Sequence, residues 1–167
     1  NATISIATGK TVTVGGPANM IAPPQQPCFV LNGTATVRFT GAGTVYPGWF
    51  GAIGDGSTDC TTAIQMALDA AMVCGGRGHI PAGHYHITST LEHPNSSFGT
   101  TYDDFPIMIT GDGPRTVIEQ ITADEGCFTI NPSASATNVM SLGHIHGMTL
   151  ACPQAGTGAC LKVMQFA

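Results

Sequence analysis

The chain has 167 residues, enough for one domain with a sizeable core, yet only 9% are charged against 43% hydrophobic. The net charge is −5, and the basic residues Lys10, Arg38, Arg77, Arg115 and Lys162 are scattered singly, so no stripe exists to neutralise phosphates and nucleic acid is excluded as a partner. No apolar run reaches the length of a membrane span.

From the N-terminus, apolar residues recur two apart: Ile4 and Ile6, Val12 and Val14, Phe29 and Leu31, Val37 and Phe39. That is the period of half-buried strands. Gly15-Gly16-Pro17, Pro23-Pro24, Asn32-Gly33 and Gly41-Ala42-Gly43 punctuate them, so residues 1–45 read as a strand-rich lead-in. From Asp59 to Cys74 the period changes. Ile64, Ala67, Leu68, Ala71 and Met72 share one face of a helix, with Ser57, Thr58 and Asp59 as N-cap candidates and Gly75-Gly76 as the stop. This is the one substantial helix expected, and its apolar face needs a partner.

Short apolar segments then resume at His79-Ile80, Tyr85 to Ile87, Ile107 to Ile109, Val117-Ile118, Cys127 to Ile130, Ile145 to Leu150 and Leu161 to Met164. Turn signals such as Pro81-Ala82-Gly83 and Gly111-Asp112-Gly113-Pro114 separate them. Strands of this length and spacing suit a sandwich, a barrel or a β-solenoid, and the residue pattern leaves the three open.

Six cysteines, at 28, 60, 74, 127, 152 and 160, form no CxxC pair and read as buried free thiols. Candidate carboxylates for polysaccharide cleavage are Asp103, Asp104, Asp124 and Glu125. Neighbours along an extended chain point to opposite sides, so a working pair would need different strands, and turn acids are the simpler reading. His84 and His86 flank Tyr85, and His144 and His146 flank Ile145, each pair facing one side of a strand. With no third ligand at a recognisable spacing, neither a metal nor another cofactor is expected. His84, His86, Tyr85 and Tyr102 are the candidates for sugar contact, while Trp49 reads as core.

The segment Tyr46-Pro-Gly-Trp-Phe-Gly-Ala-Ile-Gly-Asp-Gly-Ser-Thr-Asp59, then Thr62-Ala-Ile-Gln65, Gly75-Gly76 and Ile80-Pro-Ala-Gly-His-Tyr85, resembles the signature of the pectate-lyase-like superfamily. Ile109-Thr-Gly-Asp-Gly113 is similar to a later turn of the same pattern. The resemblance implies an all-β fold, a right-handed parallel β-helix whose N-terminal end is capped by the one helix, over residues 46–167. It assigns structural roles to Trp49, Gly51, Gly54, Asp55, Gly56, Asp59, Pro81 and Gly83. Members often carry two adjacent acids where this chain has Asp59-Cys60, which favours Asp59 as a helix cap.

The block, preceded by short strands, resembles phage tailspikes and bacterial β-helix proteins more than secreted fungal glucanases, and the tailspike or tail-fibre reading is taken first. That implies a virion-tail location and a homotrimer with other tail proteins and a host surface polysaccharide as partners. A secreted bacterial lyase or glycoside hydrolase, and a β-helical filament protein, are the alternatives. Because the last residues fall within a strand, the parent protein is expected to continue beyond Ala167.

Overall fold

The computed structural model describes residues 3–93, 108–130, 144–152 and 159–163. The described chain is mostly β with one helix. In order it forms β1 (Ile4–Ile6), β2 (Thr11–Val14), a 3-10 turn at Pro17–Asn19, β3 (Phe29–Leu31), β4 (Thr36–Phe39) and β5 (Thr44–Val45). A second 3-10 turn at Pro47–Phe50 leads to β6 (Asp55–Asp59) and α1 (Thr61–Val73). Then come β7 (Arg77–Ile80), β8 (Gly83–Ile87), β9 (Leu91–His93), β10 (Met108–Gly111), β11 (Thr116–Gln120) and β12 (Phe128–Ile130). The last are β13 (His144–His146), β14 (Thr149–Ala151) and β15 (Leu161–Val163).

Every strand pairing among the described residues is parallel. Parallel neighbours cannot be joined by a hairpin, so the chain must travel away and return. It does so in rotation. A first sheet runs β5-β7-β10-β13, a second β6-β8-β11-β14 and a third β9-β12-β15, so from β10 onward each strand stacks on the one three strands earlier. Ahead of these, β1 pairs with β3 and β2 with β4. Short strands separated by Gly and Pro turns are what such a path needs, because each turn of chain must change direction several times.

The inner faces close on one core of Ile80, Tyr85, Ile87, Leu91, Ile109, Ile118 and Phe128. The buried polar residues there are satisfied by the backbone: Thr116 Oγ1 donates to Ile80 O at 3.2 Å and Gln120 Nε2 to Gly126 O at 3.0 Å.

Helix α1 packs against more than the strand stack. Ile64 and Leu68 enter the core just described, while Ala67, Ala70 and Ala71 pack on a second core of Phe29, Phe39, Trp49 and Phe50. The physical reason is size: three small alanines leave a shallow face on which the aromatics carried by β3, β4 and the Pro47–Phe50 turn can settle. The helix is thus buried on both sides. It also closes an edge, since the Gln65 amide accepts from Glu92 N–H at 2.9 Å and donates to Glu92 O at 2.8 Å. A side chain here supplies β9 with the hydrogen bonds a neighbouring strand would have given.

Of the glycines in the entry segment, Gly51 and Gly56 lie at φ +98° and +70°, conformations that side chains rarely adopt. Gly54 does not; it is needed for space, because a Cβ there would sit 2.8 Å from Gly83 Cα and 2.9 Å from the Tyr85 ring. Trp49 is core, its indole N–H reaching Pro23 O at 3.1 Å. Among the described residues, no helix is long and apolar enough to cross a membrane.

Candidate functional site

Alternation along β8 sorts its residues. Tyr85 and Ile87 point inward, whereas His84 and His86 point out. Parallel register then places neighbours on that outer face: β6 brings Asp55 beside His84 and Asp59 beside His86, and β11 brings Val117 beside His84 and Glu119 beside His86. The two imidazoles converge. His84 Nε2 and His86 Nε2 both meet the same Glu119 oxygen, Oε2, the second at 3.0 Å. Their rings stand edge to face with centroids 5.0 Å apart. Side-chain exposures of 46% for His84, 19% for His86 and 21% for Glu119 keep the cluster reachable from solvent. Gly56 makes room for it, since a Cβ there would lie 3.1 Å from His84 Nδ1.

The acids on β6 are held by local hydrogen bonds. Asp55 Oδ1 accepts from Ser57 N–H and Thr58 N–H, each at 2.8 Å, and Oδ2 from Thr58 Oγ1 at 2.8 Å. These bonds, led by the Thr58 N–H, hold its carboxyl well below the usual range. At Asp59 partial burial pushes the carboxyl up, but bonds from Thr61 and Thr88 outweigh it and the net direction is down. Asp59 Oδ1 takes the Thr61 N–H at 2.9 Å, the first N–H of α1. Cys60 is buried beside it, with its thiol donating to Ile53 O at 3.2 Å, a place where a second acid would be desolvated. A polar corner continues from Asp59: Thr88 Oγ1 donates to Asp59 Oδ2 at 2.9 Å, and Thr122 Oγ1 to Thr88 O at 2.7 Å.

The remaining candidates separate. Tyr85, expected at a sugar, is a correction: it is 2% exposed, and alternation on β8 turns it inward as it turns the histidines out. Burial pushes its phenol up to about 12. Glu125 accepts from Thr90 Oγ1 at 2.5 Å, and Asp124 takes a left-handed turn conformation at φ 63°. They occupy the turn between β11 and β12 and are not brought to the histidine cluster. Asp103, Asp104 and Tyr102 lie outside the described residues. His144 and His146 stand on β13 opposite Met108 and Thr110 of β10. Asp112, read as a turn residue, accepts from Ala82 N–H at 2.9 Å, which lowers its carboxyl first, and lies 3.0 Å from His79 Nε2. His79 Nδ1 meets Thr110 Oγ1 at 2.7 Å.

Two groups of described residues bring three donor atoms within 4.8 Å of one another: His84, His86 and Glu119, and Cys127, Cys152 and Cys160. All six cysteines are free thiols. Cys127 Sγ lies 3.6 Å from Cys152 Sγ, and burial, then the Cys152 thiol, pushes Cys127 far up. Glu119 is the functional candidate that sequence reasoning missed. It stands 33 residues from His86, and only the parallel register of β8 with β11 makes them neighbours.

Comparison with known proteins finds partial similarity to enzymes that act on polysaccharide. The chain is 41% identical over 73 residues to the mannuronan C5-epimerases AlgE3 and AlgE1 of Azotobacter vinelandii, covering 43% of this chain. It is 37% identical over 97 residues, 56% of this chain, to alginate lyase 7 of the same organism. The chain spans between 4% and 11% of the length of these relatives. No family model matches, and no solved structure matches.

Proposed function

We propose that the chain is a run of coils from a right-handed parallel β-helix that engages polysaccharide, with uronate polymers as the first class. The observation that carries this is the 41% identity over 73 residues to enzymes whose names place them on mannuronan. The three-sheet rotation supports it, because stacked parallel strands offer a long flat outer face on which a polymer can lie. On the second sheet that face carries Asp55, His84, His86 and Glu119, groups able to hydrogen-bond sugar hydroxyls. The relatives are bacterial enzymes, so the reading follows the carbohydrate-active alternative rather than the tailspike with its trimer and virion-tail partners. Catalysis is assigned to no residue of this segment.

The test is affinity electrophoresis of the chain through gels containing polymannuronate, polyguluronate, pectate or a neutral glucan. Retardation by at least one uronate polymer, absent in the neutral gel, is the expected result. Equal mobility in all four gels would end the proposal. Release of unsaturated uronate, followed by ultraviolet absorbance, would show that the segment also cleaves.

A further inference from the structure

We propose that His84, His86 and Glu119 form a binding site for a divalent transition-metal cation on the outer face of the second sheet. The donors are of the right kind: two imidazole nitrogens and one carboxylate make a three-ligand set that suits Zn2+ and its neighbours and leaves further positions for water or a ligand. They are also placed by rigid structure. His84 and His86 are two apart on β8, and Glu119 stands opposite His86 on the paired strand β11. Both Nε2 atoms aim at one point, the Glu119 Oε2 atom. Tetrahedral bonds of about 2.1 Å separate donor atoms by about 3.4 Å. Admitting an ion then means opening the Glu119 Oε2 contacts by about 0.9 Å at His84 and about 0.4 Å at His86.

The surroundings favour positive charge. Asp55 and Asp59 flank the pair on β6, and neither Lys nor Arg occupies β6 or β8. The cysteine trio is the weaker candidate. Cys127 is fully buried and its thiol is pushed up by burial, whereas a metal needs the thiolate. The histidine cluster opens to solvent and needs only neutral imidazoles. The inference stands apart from the polysaccharide reading, since metal binding is measured with no sugar present.

The experiment is calorimetric titration of chelator-treated chain with Zn2+, joined by the absorption spectrum with Co2+. Binding of one equivalent through nitrogen and oxygen donors is expected. His84→Ala and His86→Ala should each weaken it at least tenfold, while His144→Ala leaves it unchanged. Glu119→Gln, which preserves shape and removes the charge, guards against a variant that fails to fold and should weaken binding likewise. Three results would overturn the site: no Zn2+ binding tighter than about 1 mM, equal binding by His86→Ala or Glu119→Gln with circular dichroism unchanged, or a Co2+ spectrum dominated by thiolate charge transfer.

Discussion

Tyr85 and His86 share a peptide bond and have opposite surroundings. The tyrosine is sealed in the core and its phenol ionises only at about 12. The phenol of an unfolded tyrosine titrates near 10. Because the folded value is the higher, this group's contribution to stability is complete below about pH 10 and is lost as pH rises through about 12. Thermal melts in that window should show a steep fall in wild type and a shallower one in Tyr85→Phe; parallel curves would deny the burial effect. Asp55 works with the opposite sign. Its carboxyl is held down by Thr58 and Ser57, so its stabilisation is present above the ordinary carboxylate range and fades as the solution is acidified below it. Asp55→Ala should therefore melt lower than wild type at neutral pH, with the gap closing toward pH ~2. A gap that stays constant with acid would mean the Ser57 and Thr58 bonds do not depend on its charge.

At the scale of elements, α1 does two jobs with different side chains. Gln65 bonds both backbone groups of Glu92 on the edge strand β9. Gln65→Leu keeps the bulk and removes the amide, leaving that edge unpaired, and should cost ~1–3 kcal/mol in urea unfolding. A loss within error would show that water replaces the amide at no cost. Leu68 is 1% exposed, and Gly78 makes space for it: a Cβ at Gly78 would lie 2.7 Å from Leu68 Cδ2. Leu68→Ala should cost ~2–5 kcal/mol, the range for an emptied core position. The helix itself was readable from Ile64, Ala67, Leu68, Ala71 and Met72, because a 3.6-residue period is local. Its second buried side was not. The period puts Ala67 and Ala71 on the same face as Ile64 and Leu68, and only the aromatics of the lead-in segment, folded against these alanines and Ala70, reveal a second core. The histidine cluster shows the same divide: the pair at 84 and 86 is visible as alternation, but its carboxylate partner depends on how much chain lies between β8 and β11.

For the whole molecule, α1 contributes side chains to both cores, Ile64 and Leu68 to one and Ala67, Ala70 and Ala71 to the other. Hydrogen exchange should register this. In Leu68→Ala, amides of β4 in one core and of β8 in the other are expected to lose protection together, whereas loss confined to β8 would mean that the cores open independently. The mostly-β character, the lone helix and the short strands were legible in composition and period, while parallel pairing entered through the resemblance carried by residues 46–85. Pairing between successive turns is non-local, and the intervening turns differ in length, so no fixed repeat announces it.

Strict alternation on β8 and β11 has a practical corollary. Positions 84, 86, 117 and 119 can be randomised together as a combinatorial display panel, because selection for folding acts on the opposite set, Tyr85, Ile87, Ile118 and Gln120. Deleting one residue within β8 would do the reverse, exchanging the two sets at a stroke and presenting imidazoles to an oily interior.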